Sequence, residues 1–179
     1  MKERFIFSPF EGLDYCPRCS RHLFVINSPK SKRCHNCGFE LFMNTCASYV
    51  AFIVNSRGEL LVERRKFDPA KGTLDLPGGF ADAAETAEEG VAREVKEETG
   101  LKVTSARYLF SLPNLYRYSD IDIPTLDLFF ECEVADEHAM RAADDAEECM
   151  WMPLSQLDPA EFGLKSVAEG LARYLSSKA

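Results

Sequence analysis

The sequence lacks any long apolar segment. Its longest nearly continuous apolar run, Tyr49 to Val54, is far shorter than the roughly 20 residues that a membrane-spanning helix requires. The first residues lead into no signal-peptide core. Neither an internal repeat nor a low-complexity stretch is visible. We therefore expect no membrane association and no secretion, and we predict a cytoplasmic protein.

A net positive charge is also missing. The 179 residues carry a formal net charge of −8, so the overall field of the molecule does not attract nucleic acid. The first 40 residues differ, because seven Lys and Arg against four Asp and Glu give +3 and leave −11 for the rest. This shift indicates a boundary, and the length suits one medium domain with a small appendage. We predict a small basic domain over residues 1–43 and a main domain over residues 44–179.

Four of the seven cysteines are grouped in two Cys-x-x-Cys pairs. The pairs are Cys16 with Cys19 and Cys34 with Cys37, and fourteen residues separate them. Two such turns can supply four thiolates to one tetrahedral ion, and Gly38 allows the positive φ that points backbone amides at sulfur. We predict a zinc ribbon whose Zn²⁺ is structural. Two disulfides or a redox dithiol are the alternatives, although nothing in the sequence indicates an oxidising compartment.

The remainder of the sequence mixes strand and helix patterns, which predicts an α+β fold. Thr86 and Glu89 form a capping-box pattern, and Gly100 supplies a helix stop. In chain order, the predicted elements are strands over 46–55 and 59–65, a helix over 85–99, strands over 101–112 and 125–134 with a loop over 116–124, an acidic connection over 136–148, a closing strand from Trp151, and a helix over 166–176.

Three carboxylates share one side of the first predicted helix. Glu94, Glu97 and Glu98 are spaced i, i+3 and i+4. A solvated acidic face and a site for a hard divalent cation such as Mg²⁺ are both consistent with this spacing. We expect Gly90 to leave the face uncovered, and the glycine-containing turn over residues 76–79 to let phosphate approach the start of the helix.

The stretch from Gly79 to Leu101 resembles the Nudix box, G-x5-E-x7-R-E-U-x-E-E-x-G-U, in which U is a bulky aliphatic residue. Every fixed position is satisfied, by Gly79, Glu85, Arg93, Glu94, Val95, Glu97, Glu98, Gly100 and Leu101. The resemblance implies the Nudix fold, a mixed β-sheet between helices, and hydrolysis of a nucleoside diphosphate linked to another moiety.

The resemblance also implies roles for individual residues. Glu94, Glu97 and Glu98 would be catalytic residues that hold Mg²⁺ or Mn²⁺. Arg93 and Glu85 would orient them through ion pairs. Gly79 would form the bend before the helix, and Gly78 and Gly79 would bind the substrate.

A zinc ribbon before a Nudix domain is similar to the NADH pyrophosphatase branch of this family. That branch carries the motif S-Q-P-W-P-F-P-x-S about ten residues after the box. Here Ser111, Pro113 and Ser119 are kept, Tyr116 supplies the aromatic residue, and the glutamine, the tryptophan and two prolines are missing. The segment is either a surface loop or a substrate-binding aromatic wall that stacks a base or nicotinamide ring. The resemblance implies NADH or NAD as substrates, followed by ADP-ribose.

Glu148 resembles the glutamate from a late loop that completes the Nudix metal site. It stands three residues before Trp151, in an acidic run over 144–148 that solvated charge also explains. With Mg²⁺ or Mn²⁺ on the carboxylates, we expect water to attack a diphosphate phosphorus and release a nucleoside monophosphate. Glu97 and Glu148 are both candidates for the general base.

The rival class of function is binding. Zinc ribbons often contact nucleic acid or protein, and this one lies in the basic part of the sequence. A nucleotide-capped RNA as substrate would combine binding and hydrolysis. Because every box position is intact, we expect a small-molecule nucleotide as the main partner, and we leave a homodimer open.

Overall fold

The protein is described here by a computed structural model that covers residues 12–141 and 146–178, without the side chains of residues 146 and 147. The chain divides into two compact units. One contains the residues up to Thr45 together with Leu115–Pro124, and the other contains Cys46–Asn114 and Thr125–Ala179. The predicted boundary between residues 43 and 44 stays a prediction. Within the described ranges, no helix is long and apolar enough to span a bilayer.

The described residues form nine strands and two α-helices. The strands are β1 (Phe24–Ser28), β2 (Ser31–Cys34), β3 (Glu40–Phe42), β4 (Cys46–Ile53), β5 (Glu59–Arg65), β6 (Leu74–Asp75), β7 (Val103–Tyr118), β8 (Ile121–Val134) and β9 (Ala146–Pro153). The helices are α1 (Ala87–Thr99) and α2 (Lys165–Lys178), and three short 3₁₀ turns lie at Glu137–Ala139, Leu154–Gln156 and Pro159–Glu161.

The first unit contains one small antiparallel sheet in the order β1, β2, β3. Between the two cysteine pairs, β1 is followed by a turn at residues 29–30 that leads into β2. Its buried apolar cluster consists of Phe24, Cys16 and Cys34, with a few partly buried neighbours. So small an apolar cluster provides little folding energy without a bound metal.

The second unit contains two three-stranded sheets, in the orders β4-β8-β7 and β6-β5-β9. β4 runs parallel to β8, and β5 pairs antiparallel with both β6 and β9. β5 is therefore the central strand of its sheet. Its register places Glu63 opposite Asp75 on β6 and opposite Cys149 on β9.

Alternating side chains on β4 and β5 give the core two faces. One face packs against α1 and contains Tyr49, Ala51, Ile53, Leu61, Val91 and Val95. The other packs against α2 and contains Val50, Phe52, Leu60, Val62, Val167, Leu171 and Tyr174. Strands covered by a helix on each side agree with the predicted α+β class.

The first helix forms as its capping pattern predicts. The Thr86 hydroxyl accepts a hydrogen bond from the Glu89 N–H, and the Glu89 carboxylate accepts one from the Thr86 N–H. Gly100 ends the helix with a φ of 71°. Val91 and Val95 are fully buried, which fixes the rotation of α1 about its axis. This orientation places the side of α1 that carries the box glutamates at the candidate active site described below.

The predicted loop over residues 116–124 is wrong, because this segment forms the end of the β7–β8 hairpin. The turn residues Ser119 and Asp120 have φ values of 48° and 62°. Positive φ at both central positions gives the tight turn that matches the twist of paired strands. Arg117 Nη1 also lies 2.9 Å from Asp122 Oδ1 beside this turn.

Candidate active site and metal centres

The four paired cysteines converge on one point in the first unit. Their Sγ atoms all lie within 4.8 Å of one another. The Sγ–Sγ distances are 3.7 Å between Cys16 and Cys37 and 3.6 Å between Cys19 and Cys34. A tetrahedral Zn²⁺ with Zn–S bonds of about 2.3 Å would separate two sulfurs by about 3.8 Å, so this group fits zinc. All seven cysteines are free, with no disulfide among them.

Backbone turns hold these sulfurs in place. The Ser20 N–H donates to the Cys16 carbonyl at 2.8 Å, and the Gly38 N–H donates to the Cys34 carbonyl at 2.9 Å. Gly38 has the predicted positive φ, 74°. A hydrogen bond from the Arg21 backbone lowers the pKa of Cys19 to about 6, which favours the thiolate form that binds metal.

In the second unit, Arg93 organises the box carboxylates. Its Nε and Nη2 donate to Glu85 at 3.0 and 2.9 Å, and its Nη1 donates to Glu94 at 2.8 Å and to Glu97 at 3.0 Å. Nη2 also donates to the Phe80 carbonyl at 3.1 Å. Hydrogen bonds from Arg93 hold the pKa of Glu85 below its usual value. A single guanidinium group therefore holds the carboxylates of Glu85, Glu94 and Glu97 together.

Glu98 makes a different set of contacts. Its Oε2 accepts a hydrogen bond from the Gly78 N–H at 2.8 Å, and its carboxyl lies next to that of Glu63. Burial, followed by the charge of Glu63, raises the pKa of Glu98 well above its usual value. Burial, followed by the charge of Asp75, likewise raises the pKa of Glu63. A buried carboxyl on β5 and a partly exposed one on α1 thus lie side by side.

No sequence motif marks Glu63 as a functional residue. The one signal was a carboxylate directly after the apolar Leu60-Leu61-Val62 run of a strand. Such a residue must either leave the core or find partners inside it. The structure places Glu63 inside, with 4% of its surface exposed.

Glycines bring the backbone close to the carboxylates. A Cβ on Gly79 would lie 2.6 Å from the Glu94 carboxyl, and a Cβ on Gly78 would lie 2.0 Å from the Tyr49 carbonyl oxygen. The expectation that Gly90 leaves its face of α1 uncovered is wrong. A Cβ on Gly90 would lie 2.1 Å from the Tyr49 ring, so this glycine makes room for an aromatic side chain.

Glu148 lies in β9. This strand was predicted to start near Trp151, but it starts at Ala146, because β9 pairs along most of β5. The Arg64 Nε lies 3.8 Å from Glu148 Oε2, and the Glu148 side chain is 60% exposed. Its neighbour Cys149 contacts Glu63 and Glu98, at 3.6 Å and 3.9 Å. Alternation therefore directs Glu148 away from the face of β9 that borders Glu98. Its role as a metal ligand stays a prediction, and residues 144–145 of the acidic run lie outside the described residues.

The residues of the second motif lie in a strand. Ser111 and Pro113 belong to the second unit, and Tyr116 belongs to the first. Pro113 is exposed, while Ser111 and Tyr116 are partly buried. Their substrate-binding roles stay predictions.

The carboxylate group suits hard divalent cations. The Glu94 side chain is 13% exposed, and burial is the main cause that raises its pKa. Partly buried carboxylates that crowd together are destabilised unless a cation neutralises them. Mg²⁺ and Mn²⁺ prefer oxygen ligands, which Glu94, Glu97 and Glu98 would supply. Within the described residues, carboxylate oxygens of Glu94, Glu97 and Glu98 do not all lie within 4.8 Å of one another, whereas the four cysteine sulfurs do. Arg93 donates hydrogen bonds to Glu94 and Glu97.

Known proteins are similar to this chain in sequence. An ADP-ribose pyrophosphatase from Methanocaldococcus jannaschii is 34% identical over 124 residues, which cover 68% of this chain and 70% of that protein. The NAD-capped RNA hydrolase NudC from Pseudomonas aeruginosa is 26% identical over 145 residues, which cover 81% of this chain and 49% of NudC. The chain thus spans about half the length of the NudC protein that it matches.

Structure and family comparisons agree. A crystal structure of a NUDIX hydrolase from Nitrosomonas europaea superposes with a TM-score of 0.71 at 17% identity, over 92% of each chain, which shows a shared fold. The model of the NUDIX domain family matches residues 45–174, a range that includes the whole box. The predicted Nudix fold is thereby confirmed, and the chain belongs to the Nudix family.

Proposed function

We propose that this protein is a Nudix pyrophosphohydrolase that cleaves the diphosphate bond of a nucleoside diphosphate linked to another moiety. The observation that carries the proposal is the complete box on α1, with one arginine bonded to three of its carboxylates. Such an arrangement concentrates anionic oxygens at one end of a helix, beside a glycine turn. Family membership supports the same reaction class.

Within this class, we propose ADP-ribose and NADH or NAD as the substrates. The names of two relatives, an ADP-ribose pyrophosphatase and an NAD-capped RNA hydrolase, support an ADP-containing molecule. Both kinds of substrate contain an adenosine diphosphate joined to a second group. The expected products are a nucleoside monophosphate and the second phosphorylated fragment.

We assign the residues as follows. Glu94, Glu97 and Glu98 hold Mg²⁺ or Mn²⁺, which supplies neutralisation of the phosphate charge. Arg93 orients Glu94 and Glu97, while the Gly78 N–H orients Glu98. Glu97 belongs to the group of carboxylates bonded to Arg93, whereas Glu148 pairs with Arg64 on the other face of β9. We therefore favour Glu97 over Glu148 as the base that accepts the proton from water.

A product-resolved hydrolysis screen tests this proposal. ADP-ribose, NADH, NAD, diadenosine polyphosphates, nucleotide sugars and nucleoside triphosphates are each incubated with the full chain and Mg²⁺ or Mn²⁺. We expect AMP from ADP-ribose and from NADH, and no turnover in the presence of EDTA. The absence of cleavage of every linked nucleoside diphosphate, with either cation, would contradict the proposal.

Tyr116→Ala tests the substrate preference. If Tyr116 stacks on a ring of a dinucleotide, its removal raises KM for NADH, since stacking on an aromatic side chain contributes about 1 to 3 kcal/mol. We expect the KM for a simpler nucleoside diphosphate to change little, and Tyr118→Ala on the same strand is the matched control. Steady-state kinetics on both substrates provide the measurement. Equal losses on all substrates would assign Tyr116 a structural role.

A nucleotide-capped RNA is the second candidate substrate. In the first unit the Tyr15 ring is 67% exposed and lies 5.0 Å from the His22 ring, and Arg18 and Arg21 stand nearby in the sequence. Exposed rings beside cations suit single-stranded RNA, which binds through stacking and phosphate contacts.

We also propose a cytoplasmic location, because four zinc-binding thiolates require a reducing compartment.

A further inference from the structure

A buried row of side chains crosses the sheet below α1. The register of β5 places Glu63 between Asp75 and Cys149, and directly opposed residues in a sheet share a face. Glu63 is 4% exposed and Asp75 is 8% exposed. The row lies on the same face as Leu61, the side that packs against α1.

Glu98 meets this row from the helix. Its carboxyl contacts that of Glu63, and its backbone carbonyl lies 3.9 Å from the Cys149 Sγ. On its other side, Glu98 Oε2 accepts the hydrogen bond from the Gly78 N–H at 2.8 Å. The Glu98 carboxyl is therefore fixed between a strand residue and the glycine turn.

The two acidic residues of the row differ in their partners. Asp75 pairs with the Arg65 guanidinium and also accepts the Leu76 N–H. Glu63 has the Glu98 carboxyl and the Cys149 thiol as neighbours, and Arg65 acts on it through its charge. Two neighbouring carboxyl groups form an oxygen-rich site, and a divalent cation that replaces their protons would offset both charges at once.

We propose that Glu63 is an additional oxygen ligand, beside Glu98, for the divalent cation of the active site. This inference rests on the proposed function, because that function assigns Glu98 as a cation ligand. Glu63 lies on β5, outside the box, so the sheet and the helix would both contribute oxygens to the same ion.

Mn²⁺ binding to the full, zinc-loaded chain tests the proposal without an activity assay. Free Mn²⁺ is measured by electron paramagnetic resonance during a titration of wild type and of Glu63→Gln. We expect the Kd of the tightest site to rise about tenfold or more, a typical loss when a group supporting a metal site is removed. Glu133→Gln, an exposed glutamate on β8, is the matched control and keeps the wild-type Kd.

Thermal unfolding separates a ligand from a purely structural residue. Glu63→Gln keeps the size of the side chain and removes one of two neighbouring carboxyl groups whose ionised forms burial and mutual repulsion disfavour. Without a divalent cation, we therefore expect its Tm to equal or exceed that of wild type. The increase in Tm on adding Mn²⁺ should be smaller than in wild type, because a ligand stabilises only through its affinity for the folded state. A structural role predicts a lower Tm without cation and an unchanged Mn²⁺ increment.

Glu63→Asp is the second variant, which keeps an anionic oxygen if the Gln variant does not fold. It should bind Mn²⁺ more weakly than wild type, because its carboxylate is one methylene further from Glu98. Wild-type Mn²⁺ affinity in Glu63→Gln, or in Glu63→Asp if it is the variant that folds, would overturn the inference. If wild type itself binds no Mn²⁺ outside the zinc ribbon, the proposed function fails instead.

Discussion

Glu98→Gln is expected to lower kcat by about 100-fold or more on ADP-ribose, with Mg²⁺ or Mn²⁺ at saturation. The substitution preserves the shape of the side chain, and the amide oxygen can still accept the Gly78 N–H that Glu98 Oε2 accepts at 2.8 Å. What disappears is one anionic oxygen that would hold the cation, and the cation would neutralise the phosphate charge. Losing one electrostatic contribution to the transition state typically costs a factor of about 10² to 10³ in turnover.

Glu97→Gln should cause a loss of similar size for a different reason. Glu97 accepts a hydrogen bond from Arg93 Nη1 at 3.0 Å, so an amide there keeps a partner and the helix stays folded. The variant lacks the carboxylate that accepts the proton from water, which lowers kcat more than it raises KM.

Glu88→Gln is the control for both variants. Glu88 lies on the same helix, in its first turn, and is exposed, so its loss tests only the change in helix charge. Initial rates, circular dichroism and Tm are measured for all three variants. Wild-type kcat in both Glu97→Gln and Glu98→Gln would show that this side of α1 is not the active site.

Local patterns predicted the elements that depend on neighbouring residues in the chain. The capping box at Thr86 and Glu89 placed the start of α1 correctly, since both partners lie within one turn. The cysteine spacing likewise predicted a group of four sulfurs, because each Cys-x-x-Cys turn is closed by its own backbone hydrogen bond. In each case interactions between near neighbours fix the local turn, and the pairing of β1 with β2 then brings the two cysteine pairs together.

Predictions failed where contacts between distant residues decide the structure. Gly90 was expected to leave open space, yet the space is occupied by Tyr49, 41 positions earlier in the sequence. The contact between Glu63 and Glu98 depends on the packing of β5 against α1, which no periodicity reveals. The β7–β8 hairpin extends through residues predicted as loop, because positive φ at Ser119 and Asp120 permits a two-residue turn without glycine.

Glu148 illustrates the limit of a sequence motif. Its distance from Trp151 resembles the Nudix pattern, but a shift of one residue along a strand reverses the face to which a side chain points. In β9 it is Cys149 that contacts Glu98, while Glu148 pairs with Arg64. Only a measurement on Glu148→Gln separates a catalytic role from a surface ion pair.

Cys34→Ser is expected to abolish zinc binding and unfold the ribbon. Cys34 is 1% exposed and packs with Cys16 and Phe24 in the small buried cluster of the first unit. A serine hydroxyl is a poor ligand for zinc, and a structural Zn²⁺ contributes about 10 to 16 kcal/mol of binding energy that serves as folding energy. The remaining apolar cluster is too small to replace that stabilisation.

Elemental analysis after dialysis and amide hydrogen exchange over residues 16–42 measure this effect. Wild type should hold about one Zn²⁺ per chain, as one four-cysteine group predicts, and should protect the amides of β1 and β2. Cys34→Ser should hold none and lose that protection, or aggregate. Cys46→Ser is the control, since Cys46 is exposed and outside the group. Retention of zinc by Cys34→Ser, or disulfides among these cysteines in the native protein, would contradict a zinc ribbon.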